Sequence, residues 1–279
     1  MVQQRLWLQL ALYAISIYLL VELSNQNALL RVRSRMVSAS FIMLSCTAPF
    51  LFPSLSGGIT QLCFIIAFVF LFRSYQDRQS VRNIYFAFAS IGTASLVFVQ
   101  TLWYVPLLWL LLATQLLAMS WRSWLASLIG LATPYWFALT WLLCQQDLSP
   151  IAEHFSPLAH LSFSVGHLMT GHILVFLFTA VMSAASIIHF WNNSFEDNIR
   201  VRLIYGLLTT MTICTLLAIV AQPQHFDNFI RIAFVTTCPL TAHVLTFTNS
   251  RLSNVLFFVA AGTAVVITVF NLWMLSSNF

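Results

Sequence analysis

Residues 60–82 read TQLCFIIAFVFLFRSYQDRQSVR. The stretch starts as an apolar run and ends as a loop carrying Arg73, Arg78 and Arg82, after which a second apolar run begins at Ile84. Uncharged apolar segments of this kind, divided by arginine-bearing breaks, are the signature of helices that cross a lipid bilayer. The same alternation fills almost all of the 279 residues. Hydrophobic residues make up 60% of the chain, Phe occurs 25 times, and charged residues are only 7%. A water-soluble fold needs a polar shell of comparable size to cover so much apolar surface, whereas lipid tails replace that shell.

Working outward from residues 60–82, ten apolar segments are predicted as spans, at about 5–23, 37–52, 60–72, 84–100, 103–120, 123–144, 171–191, 203–221, 230–247 and 255–275. The fold class is all-α: a polytopic integral membrane protein of about ten transmembrane helices. It forms a single transmembrane domain, 1–279, with half-bundles 1–146 and 171–279 joined by an outer loop, 147–170. The second and third spans are short, and Pro49 and Pro53 at their junction leave a re-entrant hairpin as an alternative. The first span has no small-residue cleavage site after it, so it reads as a retained helix. Pro134 is expected to kink the sixth span.

All cations are arginine. Arg31, Arg33, Arg35, Arg73, Arg78, Arg82, Arg122, Arg200, Arg202 and Arg251 fall in alternate loops, and only Arg5 and Arg231 fall on the other side. Positive loops stay in the cytoplasm, which puts both termini outside it and points to the inner, cytoplasmic membrane. Arginines scattered singly over loops act as topology signals and argue against a nucleic-acid partner. Five cysteines without a CxxC pair read as buried thiols and not as a disulfide or zinc framework.

The longest polar interval, 145–170, supplies most of the candidate chemistry. Asp147 and Glu153, with Asp227 further on, are the acids on the predicted outer side. Such an acid suits a general base that deprotonates an acceptor hydroxyl in glycosyl transfer. The simpler reading is a solvated loop acid, with Asp227 and Arg231 forming an i, i+4 pair. His154, His160 and His167 are numerous enough to ligate a metal, but they have no fixed ligand spacing, so headgroup-facing imidazoles are preferred and no metal or cofactor is expected. Arg31, Arg33 and Arg35 are candidates for lipid headgroup contact, because guanidinium binds phosphate bidentately. His243, inside the ninth span, reads as a packing residue.

One region is distinctive beyond hydropathy. Asn83-Ile84-Tyr85-Phe86-Ala87-Phe88-Ala89-Ser90-Ile91-Gly92-Thr93-Ala94-Ser95-Leu96 is followed by Trp121-Arg122-Ser123-Trp124-Leu125 and then Gly130-Leu131-Ala132-Thr133-Pro134-Tyr135-Trp136-Phe137. These segments resemble an uncharacterised family of multi-spanning inner-membrane proteins from Bacteroidota-type Gram-negative bacteria. The resemblance covers about a quarter of the chain, implies an inner-membrane helical bundle and carries no reaction with it.

Three function classes follow. The first is a non-catalytic component of an envelope assembly, with membrane lipids and other envelope membrane proteins as partners. The second is a membrane enzyme acting on polyprenyl- or lipid-linked glycans. The third is a carrier for a lipid or apolar substrate. Few ionisable residues lie inside the spans, which favours the first class over ion-coupled transport.

Overall fold

The computed structural model describes residues 2–30, 34–146, 149–159, 169–247 and 251–277. Every regular element among them is helical: α1 (Val2–Gln26), α2 (Met36–Cys46), α3 (Leu55–Arg73), α4 (Val81–Val97), α5 (Tyr104–Thr114), α6 (Trp121–Gln145), α7 (Ser149–Ala159), α8 (Thr170–Asn193), α9 (Ile199–Ala221), α10 (Phe226–Phe247) and α11 (Arg251–Ser277). Short 3₁₀ turns at Pro49–Leu51, Val99–Trp103, Ser194–Glu196 and Pro223–His225 link some of them.

Each predicted apolar run contains a helix, and among the described residues seven helices reach spanning length. α1, α3, α6, α8, α9, α10 and α11 are long and apolar enough to cross a membrane. α2 and α5 have 11 residues each, a rise of about 16 Å, or roughly half a hydrocarbon core. α7 is an eleventh helix, inside the interval read as the outer loop. It runs over Pro150 and Pro157. Pro150 is tolerated in the first turn, where no donor is needed. Pro157 leaves the Glu153 carbonyl without its usual N–H, and the Ser156 hydroxyl donates to that oxygen instead, at 3.1 Å. α6 is likewise continuous across Pro134.

The chain forms two compact units. The discontinuous unit combines Met1–Gly58 with Phe163–Phe279, and the continuous unit is Ile59–Ser162.

In the discontinuous unit α10 is the central helix, packed by α9, α2 and α8. Some 83% of its apolar window is buried, against 17% for α11. It is also rich in buried polar side chains: Arg231, Thr236, Thr237, Thr241 and His243. Between α2 and α3 the backbone is irregular, and at membrane depth its carbonyls need protein partners. They have them. Thr268 and Asn271 of α11 donate to Cys46 O and Thr47 O at 3.0 and 2.8 Å. Arg231 of α10 donates to Leu51 O and, at 3.3 Å, to Ser54 O.

In the continuous unit the main contact is α4 on α6. It is built from small residues. A Cβ at Gly130 would lie 2.5 Å from Tyr85 O, and one at Gly92 would lie 2.7 Å from Leu131 O. Ala87, Ser123, Ala126 and Ser127 are buried along the same two helices. Close backbone approach through small side chains is how helices associate where lipid gives no hydrophobic drive. The distinctive segments around Gly92 and Gly130 are therefore the two sides of one helix crossing.

Candidate functional site

The α4–α6 crossing sets the geometry of an apolar cavity in the continuous unit. The Pro134 ring packs beside Gly92. C-terminal to it α6 carries large side chains, and there the helices line a half-open cavity of about 500 Å³. Leu96 of α4, Ala132, Tyr135, Trp136, Leu139 and Leu142 of α6, and His154 and Phe155 of α7 are among its walls. Nearly all of that lining is hydrocarbon or aromatic.

Its few polar groups are placed by specific contacts. The Tyr135 hydroxyl donates to Ser95 Oγ at 2.7 Å, and Ser95 Oγ donates to Gly92 O at 2.7 Å. This relay uses the Tyr135 proton and leaves its oxygen able to accept. The Tyr135 ring stacks on Phe155, with centroids 5.7 Å apart and planes at 23°. His154 lies 6.2 Å from Tyr135 and edge-on to Phe155 at 5.2 Å. Its Nε2 is buried and has no hydrogen-bond partner. Glu153, the preceding residue on α7, is exposed. A largely apolar cavity with a few placed polar atoms at one part of its wall suits a long hydrocarbon chain bearing a polar head.

Of the sequence candidates, His154 lines the cavity, and Glu153, its neighbour on α7, is exposed. Asp147, Arg31, Arg33, His160 and His167 lie outside the described residues. Arg35 directly precedes α2, and its carbonyl accepts from the Ser38 hydroxyl at 2.7 Å. Among the described residues, no three His, Cys, Asp or Glu side chains are close enough to hold a metal ion.

Asp227 belongs to a different place. Its carboxylate is 3.9 Å from His172 Nε2 and is half exposed, at 49%. His172 Nδ1 accepts the Met169 backbone N–H at 3.1 Å, which closes a capping box at the start of α8. The residue therefore plays the part usually taken by Glu or Gln. Phe50 meets its ring edge-on at 4.5 Å and Phe226 at a tilt at 4.9 Å. Both imidazole nitrogens face protein groups, so this pair anchors a helix end.

Arg231 departs most from expectation. Read as an outer arginine paired with Asp227, it is instead inside α10 and 0% exposed. Nη1 donates to the Tyr13 hydroxyl at 3.1 Å, and Nη2 reaches Leu51 O and Ser54 O. Gly57 makes room for it, since a Cβ there would lie 2.7 Å from Nε. The signal was present in the sequence: an arginine on the side the topology rule disfavours needs a reason to be there.

A further polar pair was not foreseen. His243 Nε2 lies 3.1 Å from Asp197 Oδ2, and both side chains are 2% exposed. Asp197 sits in the turn between α8 and α9, and the Tyr205 ring packs edge-on against His243 at 5.0 Å. An acid at the foot of an apolar span, in a loop otherwise read for its arginines, was the available clue. His243 is buried, as expected of a packing residue, and it is also within hydrogen-bond distance of Asp197.

No protein-family model matches the chain, and neither curated proteins nor solved structures give a match.

Proposed function

We propose that the chain is a ten-span inner-membrane protein, of the family its α4 and α6 segments resemble, with both termini outside the cytoplasm. Its role is that of a non-catalytic component of an envelope assembly that holds a membrane lipid. The observation that carries the lipid is the α4–α6–α7 cavity: about 500 Å³, walled by Leu96, Tyr135, Trp136, Leu139 and Leu142, with His154 as the unspent polar group. Orientation rests on the ten arginines that share alternate loops, and the short α2, α4 and α5 cross with the help of their 3₁₀ turns and polar neighbours. Arg31, Arg33 and Arg35 then face the cytoplasmic headgroups.

The test is photo-crosslinking in proteoliposomes with a phospholipid carrying a diazirine on its acyl chain. Peptic peptides covering residues 131–156 are expected to be labelled well above those from the exposed face of α11, and Ala138→Trp, which fills the cavity, is expected to remove the excess. Labelling spread evenly over all lipid-facing helices would overturn the reading.

A second reading, an enzyme on lipid-linked glycans, is favoured by one observation: the exposed acid Glu153 adjoins the cavity-lining His154. There Glu153 would act as the base toward an acceptor hydroxyl. Glu153→Gln separates the two. Full complementation of a deletion strain by this variant excludes Glu153 as a catalytic base, and failure at normal protein level supports the enzyme.

A further inference from the structure

Where α4 and α6 begin, they form an open groove of about 660 Å³, apart from the cavity described above. Arg82, Tyr85 and Phe86 of α4 and Arg122, Leu125 and Ile129 of α6 are among its walls. The two helices run parallel: Ser120 Oγ donates to Arg78 O at 3.0 Å near their starts, and the Tyr135 hydroxyl donates to Ser95 Oγ at 2.7 Å further along. Each arginine is the second residue of its helix, so both stand at the same end of the groove. Beyond them come Phe86, Leu125 and Ile129, all exposed apolar side chains. From Arg122 to Ile129 the helix rises about 10 Å. The charge is one-sided. From residue 78 to residue 146 the chain has no Asp or Glu, and Asp77, just before, accepts the Gln79 backbone N–H at 2.9 Å. Among the described residues no hydrogen bond or ion pair engages the guanidinium of Arg82 or Arg122. Neither serves its own helix, because a cation in the first turn opposes the macrodipole.

We propose that this groove holds an anionic phospholipid, with its phosphate on Arg82 and Arg122 and an acyl chain along Phe86, Leu125 and Ile129. Charge complementarity chooses the occupant. A guanidinium fork meets two phosphate oxygens through parallel N–H···O bonds. A zwitterionic headgroup offers the same phosphate but brings an ammonium up to two cations. A helix of another protein would bury both guanidiniums and would have to bring acids to them. Depth agrees with the assignment. Trp121, beside Arg122 in the chain, is 70% exposed and stacks on Trp124 with centroids 5.4 Å apart. Exposed Trp rings of membrane helices sit at headgroup level, which puts the arginine end of the groove among phosphates and the Ile129 end among hydrocarbon. The site does not depend on what fills the α4–α6–α7 cavity.

The experiment compares two diazirine phospholipids with identical acyl chains, one with a glycerol and one with a choline headgroup, each at trace level in phosphatidylcholine proteoliposomes of the full-length protein. Labelling of peptides covering residues 81–90 and 121–130 is expected to be about tenfold higher for the anionic probe, the ratio one charge-assisted hydrogen bond provides. Residues 258–269 of α11, with their exposed apolar side chains, are expected to be labelled equally by both probes. The double variant Arg82→Gln, Arg122→Gln is expected to bring the two probes within about twofold of each other at the groove, because the guanidiniums supply the preference. Should that variant accumulate poorly, the wild type still decides: raising salt from about 0.01 to 1 M cuts the Debye length from about 30 to 3 Å and is expected to shrink the preference severalfold. Equal labelling of the groove by both probes, or a preference that survives the double variant, overturns the proposal. So does loss of the labelling in millimolar inorganic phosphate, which would make this a site for free phosphate, or crosslinking of the groove to a second copy of the chain in place of lipid.

Discussion

Arg231 and Gly130 lie at the crowded centres of their units, and they hold helices together in opposite ways. Arg231 reaches out from α10 with a long charged side chain and gathers Tyr13 of α1 with two carbonyls from the break before α3. Gly130 contributes no side chain at all, so that α6 lies directly on the Tyr85 carbonyl of α4. The discontinuous unit is tied by directional polar bonds between segments far apart in sequence. The continuous unit is held by the fit of small residues between near neighbours. The difference follows from where irregular backbone occurs. The α2–α3 break exposes carbonyls that only donors from elsewhere can meet. The α4–α6 pair is regular helix against regular helix and needs only close approach.

The sharpest way to break this contrast is to remove the guanidinium. Arg231→Leu leaves Leu51 O, Ser54 O and the Tyr13 hydroxyl without their donor, and is expected to cost about 3–5 kcal/mol. Thermal unfolding of the purified variant in detergent, or loss of accumulation in membranes, reads it out. Arg231→Lys, with one nitrogen in place of a fork, should recover only part. A Leu variant as stable as wild type would mean that the break holds itself.

The matching change in the continuous unit is Gly130→Val, which sets a side chain where a Cβ alone meets Tyr85 O at 2.5 Å. The helices must part, and a loss of about 1–3 kcal/mol is expected. Gly262 supplies the control, because a Cβ there meets nothing within 4 Å. Gly262→Ala in the interior of α11 should be neutral or raise stability by up to about 1 kcal/mol. Equal effects at the two glycines would show that helix propensity and not close packing governs the crossing.

A smaller effect is expected at the other polar tie. A double-mutant cycle of Asp197→Asn and His243→Phe should give a coupling of about 1–2 kcal/mol, within the range found for buried polar pairs in membrane bundles. Additive effects would show that the 3.1 Å pair is an accident of packing. The smallest effect concerns a helix end. Ala28, just past α1, has φ 48° without being glycine. Ala28→Gly relieves the left-handed strain and should raise stability by about 0.5–1 kcal/mol, seen as a rise in unfolding temperature.

The two units also differ in how far the sequence discloses them. The apolar helices were legible, because an uncharged apolar run in lipid has no alternative but to bond its own backbone; α7, inside the interval read as a loop, was not. The run at 60–72 and the helix Leu55–Arg73 are the same object seen twice. The α4–α6 crossing was half legible: its glycines stood in the segments singled out as distinctive, without any indication that they face each other. The polar ties were not legible. Arg231 looked like a loop residue because it lies near the start of an apolar run, and its partners are some two hundred positions away. Asp197 and His243 are 46 positions apart, and nothing local marks them as a pair. The cavity was legible only in part: the polar interval 145–170 holds His154 and Phe155 of its wall, but not the residues of α6. Its real wall is the large-residue half of α6, which becomes visible once Gly130 and Gly92 fix where the helices touch.

The Arg231 bonds also set a timetable. The carbonyl of Leu51 leaves the ribosome 180 residues ahead of the guanidinium that binds it. At 5–20 residues per second that is a wait of about 10–40 s. During that interval the first hairpin has an incomplete break and no α10 to close it. A nascent chain in this condition cannot settle into the bilayer segment by segment. Its first three helices must be kept near the insertion machinery, or near water, until the ninth predicted span emerges, and stalling translation between residues 73 and 231 should leave that hairpin open to proteases.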